Sequence, residues 1–511
     1  MPNPDLPRPR RSRAAACFPW LCLAFSTVAA PRPVDAQRAG AAAEACAAAP
    51  ETSAREVLDR AWAALGLAAR PDAVVRIDAV DHAQQNYQSD RPYPPYFVNA
   101  LGREVWFDPR TGVERISTTF TGQGSGPVPS GTTLVSAAAA YAVRDTARAP
   151  TPPAFGQAQQ YRPLDVFAAL HDWRAAADVR VAGRCVLRDY PRVVLTRRGS
   201  FGPERLYLDP RSGLPVALRR AEAHYLWGSV DARYEWVTWY GAGGLTFPLT
   251  AVRTVDGEVE TTRAFGAIAF AARDGAPALE LPAGAAPMRP VPARFLQPIA
   301  PDTVRVGAHA FLLVNPGYNE LVALVRDTVF VFDATQGEAR ARQDSAWVGR
   351  LFPGRHPVVL VVTDLAWPHV GGVRFWVASG AAVVSHRNSR AFLERVVDRR
   401  WTGAPDLLER RRATARLRFA AVDGAADRAG GGVRLAAIDG IGSEGALVAY
   451  LPGERFLWAG DYVQDATAPA LTTAEVVRAA RRAGFDPARL AAQHVGIIPW
   501  ATVAALAERL P

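Results

Sequence analysis

Pro357 to Val362 reads Pro-Val-Val-Leu-Val-Val, a short apolar run rich in β-branched residues and without a polar face. Such a run is a strand buried on both sides, so the fold around it must cover a sheet from above and below. The strand stops at Thr363-Asp364, and the loop beyond it ends in His369 and Gly371-Gly372. From about 303 onward short strands alternate with helices. Phe311–Val314, Leu321–Val325, Val329–Asp333 and Ala382–His386 read as strands. Helices are expected over roughly 337–351, after Asn388 as a cap, from Thr472-Thr-Ala-Glu475 to Gly484, and from Trp500 to Leu510. A second strand series occupies 415–460.

The first half has a different rhythm. Ser53-Ala-Arg-Glu56 is a capping box that opens a helix with Val57, Leu58, Ala61, Trp62 and Leu65 on one face. The chain then becomes strand-like to about 280, with helices expected near 133–145 and 163–176. Val105–Gly112 and Leu206–Gly213 each run an apolar strand into Asp-Pro-x-[Thr/Ser]-Gly. Proline pre-sets the first dihedral of a turn there and glycine supplies the positive φ that reverses the chain. Strands at Ala232–Tyr240 and Thr246–Val255 flank the Gly241–Gly244 turn. Trp227, Trp236, Trp239 and Tyr240 read as sheet core before ligand-binding wall. Six prolines among apolar residues mark 281–302 as a linker.

Length and composition bound what this can be. A chain of 511 residues exceeds one ordinary core, and 49% hydrophobic with 21% charged residues is globular. All 59 basic residues are arginine, with no lysine at all, in a chain rich in Ala and Gly. That pattern is a compositional bias of the coding sequence, so the net charge of +10 does not argue for nucleic acid. The run Arg410-Arg411-Arg412 beside Glu409 reads as a solvated helix face. At the N-terminus Arg8, Arg10, Arg11 and Arg13 precede an apolar stretch, Ala14 to Ala30, and then Val34-Asp35-Ala36. This is the pattern of a secretory signal peptide, residues 1–36, cut after Ala36. Arg13 sits where a twin-arginine signal wants an apolar residue, which favours the general secretory route. Residues 37–50 are an Ala-rich flexible segment. No later stretch reaches the ~20 apolar residues of a membrane helix, so a periplasmic or secreted protein is expected. Cys17 and Cys22 leave with the leader. Cys46 and Cys185 remain, and an oxidising compartment allows them to pair without requiring it.

The strand, loop and glycine pair at Thr363–Gly372 resemble the metal-binding loop of the metallo-β-lactamase superfamily, in which a strand ending in Thr runs into H-x-H-x-D-H, x-G-G and a helix. On that pattern the four ligand positions hold Asp364, Ala366, Pro368 and His369, so only the last is kept. The resemblance implies an αββα sandwich over 303–511, in an α+β protein, with Asp333 as a structural acid near the site. It implies a bridging carboxylate at Asp461, a C-terminal ligand at His494, and a further histidine position filled here by Gly442. What survives is one zinc site of His369, Asp461 and His494, which suffices for a catalytic zinc with a position left for water. Asp364 is then a fourth ligand or a catalytic base, and Pro368 stiffens the loop before His369. Each residue also has a bland reading: His369 as a packing or helix-capping residue, Asp461 as an acceptor for loop amides, and His494 as a satisfied half-buried histidine.

The helix followed by a long antiparallel meander over 51–280, with Asp209–Pro215 and Gly244–Pro248, resembles the lipoprotein-carrier fold of bacterial envelopes, a curved half-barrel whose concave face can hold an acyl chain. Three functions follow from these resemblances. They are an exported zinc hydrolase of a small ester, lactone, thioester or phosphoester, a catalytically inactive binding or scaffold protein, and a carrier of an apolar ligand.

Overall fold

In the computed structural model the described residues are 46–47, 53–84, 94, 96–121, 128–144, 147–150, 159–288, 301–315, 317–440 and 444–510. The expected signal peptide, most of residues 37–50, most of the expected linker 281–302 and Gly442 lie outside them. The protein is α+β with mostly antiparallel sheets.

The N-terminal half is one antiparallel sheet of fourteen strands. Successive hairpins lead from Arg180–Leu187 to Glu258–Ala271, which pairs with Val74–Gln84, and the meander continues to Ala147–Pro150. Strand Val74–Gln84 shows why these residues form a sheet. Val75, Ile77 and Ala79 point into the core, while Arg76, Val80 and His82 face solvent. Helices Ala54–Ala64 and Val166–Ala175 cover the inner face. Ser53 Oγ accepts from Glu56 N (3.1 Å), and Glu56 answers at Ser53 N (3.2 Å), so the capping box forms as read. Gly112 (φ 68°) and Gly213 (φ 74°) close the two Asp-Pro hairpins in the left-handed region. The inner face is filled by Trp62, Phe167, Trp173, Trp236 and Phe247. A void of about 20 Å³ beside Trp173 has room for one water. Tyr240, expected in the core, is exposed. Cys46 and Cys185 form a disulfide that ties the short strand Cys46–Ala47 to Arg180–Leu187.

The helix expected near 133–145 is instead two strands, Val128–Val135 and Ala140–Arg144. Ser136 Oγ accepts from the amides of Ala138 (3.1 Å) and Ala139 (3.0 Å), which turns the chain inside the alanine run. Local hydroxyl chemistry and strand pairing outweigh alanine's helix propensity here.

Beneath the helix Val166–Ala175 lies an ionic cluster. Arg162 makes two bonds to Asp172 (2.8 and 2.9 Å) and also donates to Glu114, and Asp165 is a second buried carboxyl whose charge acts on Glu114. Burial pushes Glu114 up to about 8 against the pull of Arg162, and burial pushes Asp165 up as well. The folded chain thus keeps a proton that the unfolded chain releases from the ordinary carboxylate range upward. The contribution of this proton to stability is full below that range and falls as pH rises toward 8, by up to about 1.4 kcal/mol per pH unit. Glu114→Gln keeps a neutral side chain and is expected to flatten the melting temperature between pH 5 and 8. Parallel profiles for variant and wild type would show that this proton is not held.

The C-terminal half has two sheets. In the first, Asp302–Arg305, Ala310–Asn315, Tyr318–Val325 and Thr328–Phe332 are antiparallel, and Val358–Val362, Ala382–His386 and Arg418–Val422 continue in parallel. The second comprises Ala425–Arg428, Val433–Ala437, Leu447–Leu451, Phe456–Trp458, Arg489–Ala491 and Ile498–Pro499. The packing defines four layers. Leu313, Val331, Leu360 and Val362 meet helices Glu338–Leu351, Val373–Ala378 and Arg390–Asp398. Phe330, Phe332 and Val361 on the opposite face meet Leu435, Leu447, Ala449 and Trp458 of the second sheet. The outer face of that sheet, with Val448 and Leu457, packs on Val476, Val477, Ala480 and Val503 of helices Leu471–Arg482 and Trp500–Ala507. In the strand Val358–Val362, Leu360, Val361 and Val362 therefore lie buried, covered from both faces.

Two helix starts differ from expectation. Asn388 does not cap its helix; its own amide donates to His386 Nδ1 (3.3 Å), and Ser389 is the capping position. The helix at Thr472 starts one residue earlier, after Ala470, with no side-chain cap.

Candidate metal centre

His369, Asp461 and His494 each follow the C-terminal end of a parallel strand, Val358–Val362, Phe456–Trp458 and Arg489–Ala491 respectively. Parallel strands end together, so three residues distant in sequence meet at one edge of the two sheets. Their candidate donor atoms all lie within 4.8 Å of one another. His494 Nε2 is 3.0 Å from Asp461 Oδ1, and His369 Nε2 is 3.8 Å from the same oxygen.

His369 sits in the one-turn helix Trp367–Val370, where Pro368 occupies an early position that needs no amide donor. Proline therefore does not displace the imidazole; His369 N donates to Ala366 O (2.8 Å). The loop Asp333–Gly337 grips this helix through its backbone. Ala334 N donates to His369 O (3.0 Å), Gln336 N to Pro368 O (2.5 Å), and Gly372 N to Ala334 O (2.8 Å). A Cβ at Gly371 would overlap Gln336 O, and one at Gly372 would press on Ala334 and Ala341. The glycine pair is thus required by close approach rather than by φ.

Both imidazoles have one nitrogen committed. His369 Nδ1 lies 2.8 Å from Asp364 Oδ1, and His494 Nδ1 lies 2.7 Å from Gly317 O. Each acceptor takes an N–H, which leaves each Nε2 turned toward Asp461 as the position for a proton or a metal ion. His369 is fully buried and its Nε2 has no hydrogen-bond partner. Burial opposes a charged ring, yet Asp364 and Asp461 outweigh it and push His369 up to about 9. The two carboxylates therefore favour a positive charge at that ring, carried by a proton or by a metal ion.

Asp364 does not join the donor cluster. Its Oδ1 accepts from His369 and from Ala366 N (2.9 Å), and its Oδ2 accepts from Gln493 Nε2 (3.2 Å). Both of its oxygens accept hydrogen bonds, and the one to Nδ1 sets the orientation of the His369 ring. Gln493 also donates to Asp333 Oδ2 (2.8 Å), which accepts from Trp458 Nε1 (2.8 Å); Asp333 Oδ1 receives Thr363 N (2.7 Å). Burial and the neighbouring Asp364 push Asp333 up to about 7. Tyr318 sets its ring against both imidazoles, with centroids 5.8 Å from His369 and 5.2 Å from His494. Gln493, Tyr318 and Gly317 carried no sequence signal beyond, for Gln493, its place beside His494.

His386 stands off this cluster and closes its own turn. Arg410 and Arg412 are not a free basic patch, since they pair with Glu338 and Glu409.

No family model matches the chain, and no curated protein matches it. Among solved structures it is similar to the DIM-1 metallo-β-lactamase, at 14% identity over 41% of this chain and 98% of that one, with a TM-score of 0.33. It is similar also to a metallo-β-lactamase from Hirschia baltica (14%; 41% and 97%; 0.31) and to TMB-1 (13%; 41% and 98%; 0.32). Identities and scores this low assign neither family nor activity. The layers and the donor cluster stand on this chain's own packing. No helix among the described residues is long and apolar enough to cross a membrane.

Proposed function

We propose that this chain is an exported hydrolase that holds one zinc ion on His369, Asp461 and His494 and uses it to activate water. The observation that carries the reading is His369 Nε2: a buried nitrogen without a partner, its ring already oriented, aimed at a carboxylate beside a second oriented imidazole. Two imidazoles and one carboxylate are a zinc donor set with one position left for water, and acceptors behind the imidazoles are the usual outer support. When bound, zinc would lower the pKa of a coordinated water to about 7 and polarise a carbonyl or phosphoryl oxygen.

The residues of the chain supply the rest. Asp364 and Gly317 O hold the two rings in the tautomer that presents Nε2. Tyr318 restricts their rotation. His369 closes the inner side, while Asp461 and His494 retain some exposure and form the open side that a substrate reaches. The substrate class is a small molecule with an acyl or phosphoryl centre: an ester, lactone, thioester or phosphoester. Export is supported by the leader pattern and the disulfide.

Purified protein is expected to carry about one zinc per chain, and His494→Ala to lose it, with elemental analysis as the measure. A folded wild type that takes up no zinc when refolded in excess would end this reading and favour the scaffold or carrier alternatives.

A further inference from the structure

The N-terminal half reaches the metal loop through one turn. Between strands Pro215–His224 and Gly228–Ala242, residues 225–227 leave their own sheet. Tyr225, Leu226, Trp227 and Val230 join the apolar cluster of Leu365, Val370, Val373 and Phe392. The turn is built to hold its shape. His224 Nδ1 accepts from Leu226 N (3.1 Å) and Trp227 N (3.2 Å). Gly228 has φ 73°, and a Cβ there would strike the Trp401 ring. Arg399 donates to Trp227 O (3.0 Å) and Ser229 O (2.8 Å), and the Arg395 guanidinium lies 4.9 Å from the Trp227 ring.

At the tip, the Trp227 ring meets Trp367 edge-on (5.4 Å, 86°) and Phe392 (5.8 Å, 80°); the His224 ring meets Trp367 at 5.2 Å and 80°. Trp367 is the first residue of the one-turn helix that carries His369. A single turn has too few hydrogen bonds to hold itself, so its orientation is set by what packs on it. The loop Asp333–Gly337 grips its backbone, and the wedge of His224 and Trp227 packs on its first side chain.

We propose that Trp227 is a positioning residue for the metal centre: the N-terminal half supplies a wedge that fixes Trp367 and, through it, the aim of His369 at Asp461 and His494. The inference rests on the metal reading above. It gives the first half of the chain a role in the chemistry of the second.

The test measures Zn²⁺ affinity by chelator competition and the visible spectrum of the Co²⁺ form, in the full-length mature protein. Wild type, Trp227→Ala, Trp227→Phe, Trp367→Ala and the Trp227→Ala/Trp367→Ala double variant are compared. Trp227→Ala is expected to weaken Zn²⁺ binding about 10–100-fold and to alter the Co²⁺ spectrum, with Trp227→Phe restoring most of both. Trp367→Ala is expected to lose a similar amount, and the double variant to lose little more, because both act through one contact. Full affinity in Trp367→Ala, which leaves the wedge itself intact, overturns the proposal even if Trp227→Ala does not fold. Losses that multiply in the double variant overturn it too, since they mark general loosening. A wild type that binds neither ion removes the metal reading and this inference with it. Wild-type binding with unchanged Trp227→Ala binding removes the inference alone.

Discussion

His369→Ala is expected to leave the protein folded and without its ion, while Asp364→Asn keeps the ion but binds it about 10–100-fold more weakly. The two differ because of where each side chain stands. His369 supplies the buried donor, and its removal leaves Asp461 and His494 alone on the open side, with two ligands where a catalytic zinc needs three. An ion held there would feel Asp364 only through the His369 ring, by the 2.8 Å bond to Nδ1. An asparagine of the same shape still accepts that N–H, but without the charge that strengthens the bond and raises the basicity of Nε2. The measurements are zinc per chain after dialysis and Zn²⁺ affinity by competition. If Asp364 were the catalytic base, Asp364→Asn would hold zinc as tightly as wild type and lose only turnover. That outcome would make Asp364 the base and not the support of His369.

Much of this architecture was legible because its signals are local. Val358–Val362 announces itself by composition, and the Ser53 box and the two Asp-Pro turns need only their own few residues. The three donor residues were legible through the resemblance, which ordered them along the chain. Their distances come from the parallel ends of strands that no local pattern fixes. What the sequence hid is long-range. The acceptor behind His494 lies at Gly317, 177 residues away, and it is a backbone carbonyl with no residue signature. Gln493 was visible only as a neighbour of His494, although it joins Asp333 to Asp364. Trp227 read as sheet core of its own half; its partners Trp367 and Phe392 belong to the other. The alanine run after Leu134 misled in the opposite way, because helix propensity is local while strand pairing is not.

Arg374 is a residue of this hidden kind, and Arg374→Ala is expected to destabilise the C-terminal half by roughly 3–5 kcal/mol. It follows Gly371-Gly372 and is 1% exposed. Its guanidinium binds Asp406 through Nε (2.6 Å) and Nη2 (3.0 Å), and donates to Val396 O (2.7 Å), Val397 O (3.1 Å) and Arg399 O (2.8 Å). Asp406 in turn accepts Glu409 N (2.7 Å) and caps the helix Leu407–Arg410. One cation thus satisfies the carbonyl end of one helix and, through Asp406, the amide end of another. Truncation would leave a buried carboxylate unpaired and take a donor from Val396 O, while Val397 O and Arg399 O keep Arg412; an unpaired buried carboxylate is the costly way to break such a pair. A drop of roughly 10 °C in melting temperature is expected for a unit of this size. Arg374→Lys should recover only part of it, because an ammonium cannot make the two-pronged bond to Asp406 while reaching the carbonyls. None of these groups touches the donor cluster, so zinc per folded chain well below the melting point should equal wild type. A loss of stability under about 1 kcal/mol would place this pair with surface ion pairs and refute the account. Lost zinc in a still-folded variant would instead tie these helices to the aim of His369.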